Sequence, residues 1–396
     1  MRNYKTYLIL CTFIATLLCL TLLGNLIFIT NSHENISFNK LVREQQKAGA
    51  IWGSALNPNI FIYKYELYKY LQPEILALGS SSAYQFRKEF FHKSFANSGG
   101  VMVGLNYGRA FLEEIIKIHK PQLIILCVDF WYFNDKYPLN EDIPAFKDTG
   151  TYNLIYKLRQ PFVWFWERKI TLGDYLNIVL HNNNKNKISN LDNLGVLAIK
   201  RADGFRQDGS YYYGELTVGF RKKFSDKKFQ TSLRHVENGT ERFTHGENLS
   251  AYSVNELDKI IRLCQENNIR IVVILPPVSS TLYKKMQGMP NEYRYIEKLR
   301  KYIRSLPIEA YDFFDITEVG SGDCECIDGF HTGDVTAQRM LLTILQRNPQ
   351  TVVREYVNDQ LMRKCVQENA GKVLVKFKRE LYNFDEVDFL EIGCCK

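Results

Sequence analysis

"LALGSSSAYQFRKEFF", Leu76 to Phe91, decides how the rest of the chain is read. An apolar run stops at Gly79, and three serines follow before an aromatic, charged segment begins. A buried strand ending in Gly-Ser-Ser presents hydroxyls at a strand's carboxyl end, where open α/β sheets bind their ligands. The same serines also read as a polar turn that caps the next helix. What else arrives at that sheet edge must decide between the two.

On either side of this stretch the chain alternates between strand and helix patterns. "KSFANSGG", Lys93 to Gly100, predicts a second short strand ending in a Gly-rich turn, and Gly104 to His119 carries apolar residues at helical spacing. After Pro121, "QLIILCVD" predicts a third strand, nearly continuous in Leu and Ile as a central parallel strand should be. Val254 to Asn268 predicts a helix, and "IRIVVILPP", Ile269 to Pro277, a fourth strand. A helix over Asn291 to Ser305, a strand over Ala310 to Ile316 and a last helix just past His331 complete the series. Strands separated by amphipathic helices predict an α/β domain, a doubly wound parallel sheet over 71–346.

Residues 130–250 interrupt this rhythm with a long insertion rich in Tyr, Trp, Asn and Lys, including "NNNKNK" at Asn182 to Lys187, which reads as solvated loop. An insertion leaving a strand's carboxyl end is placed to set substrate specificity; the alternative is an exposed loop region without a role. Residues 32–70 read as a connector with aromatic helical character, "FIYKYELYKYL", packed on the membrane side. In the extension 347–396, Val352 to Asn369 predicts a helix ending at Gly371, and "KVLVKFKREL" alternates like an exposed strand.

Residues 1–31 read as a membrane anchor. Tyr7 to Thr30 is almost uninterrupted Leu, Ile, Phe, Thr, Ala and Cys, long enough to span a bilayer. Arg2 and Lys5 precede it and no Ala-x-Ala-like site closes it, so it reads as an uncleaved single-pass signal anchor with a cytoplasmic N-terminus and an extracytoplasmic body.

The formal net charge of +8 is spread over scattered lysines, and an outside domain rarely meets nucleic acid, so none is expected as a partner. The charge points to anionic lipid head groups or an acidic envelope polymer, or to Lys- and Asn-rich coding without electrostatic purpose. Nine cysteines are present, two of them, Cys11 and Cys19, in the apolar span. No spacing dictates a disulfide framework; Cys324 and Cys326 can pair with distant cysteines, and Cys394-Cys395 reads as incidental.

A serine hydroxyl is a weak nucleophile unless a base, itself oriented by a third group, takes its proton. "CIDGFHTGDVTAQRML" supplies Asp328 three residues before His331 in a Gly-containing loop ahead of a helix. Alone, that pair is a capping Asp beside a surface His. Together with Ser81 after the first strand, Asn97-Ser98-Gly99 after the second and Asp129 after the third, it converges on one sheet edge.

In this combination the chain resembles the SGNH, or GDSL-like, hydrolase superfamily, over Leu76 to roughly Leu345. The resemblance implies a flavodoxin-like sheet with Ser81 as nucleophile, Asp328 and His331 as acid and base, and Gly99, in its Asn-x-Gly block with Asn97, as an oxyanion amide. The third block departs: "CVDFWYFND" stands where the family has G-x-N-D, leaving Asn134, Asp129 or Trp131 as candidates to line the pocket. The layout is similar to that of membrane-anchored proteins of envelope polysaccharide O-acetylation and teichoic-acid D-alanylation. That likeness implies an acyltransferase or esterase working on a polysaccharide or acylated polymer beside a membrane-bound O-acyltransferase. The alternative is a scaffold that kept the fold and lost the chemistry. No cofactor is called for. A zinc reading of Cys324, Cys326 and His331 fails because two cysteines one residue apart are a poor tetrahedral pair and no fourth ligand is evident, so no metal is expected.

Overall fold

The computed structural model describes residues 2–56, 59–138, 142–146, 154–181, 192–219, 225–377 and 385–394. The strands are β1 (Ile51–Trp52), β2 (Ile75–Leu78), β3 (Phe95–Ser98), β4 (Leu123–Cys127), β5 (Asn193–Leu194), β6 (Asp203–Phe205), β7 (Tyr211–Tyr213), β8 (Arg270–Leu275) and β9 (Glu309–Asp312). Five of them form an all-parallel sheet in the order β3-β2-β4-β8-β9. The winding therefore reverses between β2 and β4, which opens a crevice at their carboxyl ends.

Both faces of this sheet are covered, because successive side chains along each strand point to opposite sides. Leu76, Leu78, Ile124, Leu126, Val273 and Leu275 share one core with Phe111 and Leu112 of the Leu105–Ile115 helix and with Leu257 and Ile260 of the Ala251–Glu266 helix. Ile75, Ala77, Ile125, Cys127, Val272 and Ile274 pack on the other side against Met340, Leu341 and Ile344 of the Asp334–Arg347 helix. Burial on two faces explains the near-continuous apolar runs in the sequence. The last strand is shorter than the expected Ala310–Ile316. Asp312 Oδ1 accepts the Phe314 N–H at 3.1 Å and turns the chain away from the sheet.

Residues 32–70 are built into the body rather than linking to it. Strand β1 pairs with β5 in parallel and with β6 antiparallel, giving a second, four-stranded sheet β5-β1-β6-β7 made jointly by the connector and the 130–250 insertion. The helix Ile60–Leu71 buries Lys64 completely, its ammonium donating to the carbonyls of Asn97 and Gly209. Burial holds the Lys64 pKa well below its ordinary value, against the opposing pull of Asp208. The insertion is likewise structured where described; "NNNKNK" lies outside the described residues.

Helix α1 (Arg2–Asn31) is the one helix among the described residues long and apolar enough to cross a membrane. Two further helices from the insertion, α2 (Leu154–Trp166) and α3 (Leu172–His181), lie against its last turns. In the C-terminal extension the expected helix starts later, at Asp359, behind a short 3-10 turn at Val352–Glu355. The expected exposed strand there is not one: Val373, Leu374 and Val375 are buried, and Val375 bonds Arg87 and Asp334 through its carbonyl and amide. Residues 378–381 of that stretch lie outside the described residues.

Candidate active site

Gly79 ends β2 where a Cβ would come within 2.9 Å of Ala83 and Cys127, so only glycine lets the next turn fold this close to β4. That turn is a 3-10 helix, Ser81–Ala83, capped by Ser80, whose Oγ accepts the Ser82 N–H at 3.1 Å. Ser80 thus caps the turn, while Ser81 is left partly exposed at the strand end.

Ser81 Oγ lies 2.6 Å from His331 Nε2, and His331 Nδ1 lies 2.7 Å from Asp328 Oδ2. A carboxylate only accepts, so Nδ1 carries the proton and Nε2 accepts from the serine hydroxyl. The carboxylate is itself fixed, because Asp328 Oδ1 accepts the backbone N–H of Phe330 at 3.0 Å and of His331 at 2.8 Å. Burial works to raise the Asp328 pKa; its pairing with His331 and these hydrogen bonds outweigh it and hold the carboxyl below its ordinary value.

The two halves of the site are locked together from behind. Arg87, six residues past Ser81, is fully buried and pairs with fully buried Asp334, three residues past His331, at 2.8 Å. Asp334 also accepts the Val375 N–H, so the C-terminal extension closes over the pair. A disulfide between Cys324 and Cys394 ties the chain's end to the loop that carries Asp328. Cys394 is therefore structural rather than incidental, and Cys324 has no thiolate to offer a metal.

The candidates for the oxyanion and pocket fall differently from expectation. Asn97 is fully buried and acts as a clamp: Nδ2 donates to Ala83 O at 2.7 Å and Phe86 O at 2.8 Å, and Oδ1 accepts the Gly99 N–H at 2.7 Å. The Gly99 amide is thus occupied by its neighbour two residues back instead of facing an oxyanion. Asn134 is buried and pins the following loop, donating to Thr244 O at 2.6 Å and accepting the Lys136 N–H, so it does not line the site. Asp129 sits beneath the serine turn. Burial raises its pKa, opposed by hydrogen bonds from Ser80, Ser82 and Tyr132. Trp131 is buried behind Phe330, edge to face at 5.9 Å, and Phe330 in turn lies 4.1 Å from the His331 ring. The Ser81 N–H, by contrast, has no hydrogen-bond acceptor among the described residues.

A cavity of about 540 Å³ opens beside Asp328 and Phe330, walled by Tyr213, His235, Arg242 and Phe243 of the insertion. The Arg242 guanidinium lies 4.9 Å from the Phe330 ring and 5.4 Å from the Trp131 ring. Among the described residues no carboxylate pairs with it. Nothing in the sequence marked this arginine, because only the folded insertion brings it to the strand ends.

Comparison of the chain with protein-family models, with curated proteins and with solved structures finds no match.

Proposed function

We propose that this protein is a membrane-anchored, extracytoplasmic serine acyltransferase or esterase with an SGNH-like doubly wound domain, acting on acyl groups of an envelope polysaccharide or related polymer. One observation carries the reading: residues 250 positions apart place a serine hydroxyl, an imidazole and a carboxylate in hydrogen-bonded sequence at one sheet edge.

In this scheme Ser81 Oγ attacks the acyl carbonyl while His331 Nε2 takes its proton. Asp328 holds the resulting imidazolium, and the Ser81 N–H donates to the oxyanion. Collapse of the tetrahedral intermediate expels the donor's alkoxide, which leaves with the proton from His331. A polymer hydroxyl, or water, then gives its proton to His331 and attacks the acyl-serine, restoring Ser81 by the reverse path. No cofactor enters either half.

In this scheme Arg242, which has no carboxylate partner among the described residues, meets an anionic group of the substrate from a cavity wall it shares with Asp226 and Glu241. A disulfide persists in an oxidising compartment, which supports a body outside the cytoplasm, with Arg2 and Lys5 holding the N-terminus inside. A membrane-bound O-acyltransferase as donor partner follows from the layout alone. The second reading, a scaffold without catalysis, is favoured by the occupied Gly99 amide.

Labelling of the full chain with a serine-directed fluorophosphonate separates the two. Labelling that disappears in Ser81→Ala and His331→Ala is expected, and no labelling of the folded parent refutes the enzyme reading.

A further inference from the structure

Helices α2 and α3 are apolar on two sides. Their inner sides bury Trp164 and Ile178 with Phe28 and Ile29 of α1, and Phe28 stacks on Tyr175 at 5.1 Å. Their outer sides leave Leu154, Ile155, Phe162, Trp166, Leu172 and Leu180 exposed, Trp166 to 90%. The spacing from Ile155 to Phe162 to Trp166, and from Leu172 to Leu176 to Leu180, keeps each set on one helical stripe, the first of which also carries the exposed Arg159. An apolar stripe left uncovered belongs against protein or in lipid, and an arginine within it is carried there by reaching polar groups with its guanidinium.

Their level along α1 says which. Asn25 Nδ2 donates to Leu158 O at 2.8 Å, Tyr175 donates to Asn25 Oδ1 at 3.0 Å, and Asn31 Nδ2 donates to Ile178 O at 2.9 Å. The hairpin is thus fixed beside residues 25–31. A hydrocarbon core takes about 20 helical residues. Counted from Tyr7 it ends near Leu26, while the apolar span Tyr4–Asn31 has 28 residues. The hairpin therefore lies at the outer boundary of the core, where Trp belongs and where the basic residues of its turn, Arg168 and Lys169, reach the head groups.

We infer that α2 and α3 form a second membrane contact, a hairpin seated in the lipid interface beside the anchor, holding the catalytic body against the bilayer. The occupant of the exposed face is lipid, because the face continues the exposed apolar surface of α1 itself. This rests on the anchor reading and is independent of the chemistry at Ser81.

The test is tryptophan emission of the full chain in vesicles of phosphatidylcholine and phosphatidylglycerol, with and without acyl chains brominated near the head group. Trp52, Trp131 and Trp164 are at most 4% exposed, so Trp166 is the one tryptophan of four open to bromine. Bromine should quench the parent by about a quarter, as an interfacial tryptophan requires, and the conservative, surface-placed Trp166→Phe should abolish that difference. Release of the parent from carbonate-washed vesicles overturns the anchor and the hairpin with it. Retention with equal quenching in parent and variant overturns the hairpin alone, as does an unquenched Trp166 shielded by a partner protein.

Discussion

Replacing Arg87 with Met keeps most of the side chain's length and removes its charge from a site with no exposure. Asp334 is left buried with the Val375 amide as a donor and with Arg206 no closer than 4.0 Å. Breaking a buried pair by removing one partner costs about 3–5 kcal/mol, because the remaining charge cannot regain water. In a body of this size each kcal/mol moves the thermal midpoint by about 2 °C, so a fall of about 6–10 °C is expected. Scanning fluorimetry of the full chain in detergent reads it. Replacing both partners, Arg87→Met with Asp334→Leu, should recover about half the loss, since neither member of the pair is then left charged, while Arg206 and Glu89 each lose a weaker contact. A fall under about 2 °C in the single variant, or no recovery in the double, refutes the account of the pair as the lock between the serine and histidine elements.

Asp328 is held below its ordinary value of 3.8, so its stabilisation is fully present above that pH and is lost as pH falls through the folded value. The midpoint gap between parent and Asp328→Asn should be constant at neutral pH and shrink in acid, while fluorophosphonate labelling of the variant falls by on the order of 10³–10⁴-fold. Asn97→Ala removes three buried hydrogen bonds and should cost about 3 kcal/mol or more, read by urea unfolding; an unchanged midpoint would show that the clamp is not needed. Arg242→Ala should raise KM for an ester bearing a carboxylate or phosphate and spare a neutral ester; equal effects on both would remove the anionic-substrate reading. Cys394→Ser opens a 70-residue loop and should lose up to about 4 kcal/mol, and reduction of the parent should reproduce the loss in the same scan.

Much of the candidate site's layout was legible because it is written in long signals. The strands at Ile75, Leu123 and Arg270 are buried on both faces and so read as apolar runs, and Ser81, Asp328 and His331 stand at their ends or in the late loop. The second sheet was not legible, since strands such as Ile51–Trp52 and Asn193–Leu194 are too short to show a period and gain their meaning only from each other. Asn97 and Gly99 misled for another reason. Spacing reports which residues meet at an edge but not whether an amide there is already taken by a side chain two positions away. The Cys324–Cys394 link and the burial of Val373 to Val375 are tertiary facts with no local trace.

If Ser81 is the nucleophile proposed above, the lock behind the site also fixes when it can become reactive. Ser81 waits for a base 250 residues later, Arg87 for a carboxylate 247 residues later, and the cover over that pair for a carbonyl 288 residues later. Ties at such separation form slowly, after local helices and hairpins. On the proposed reading, the growing chain carries an unarmed serine through at least 250 further residues of synthesis, and arming follows only once His331 has joined the fold.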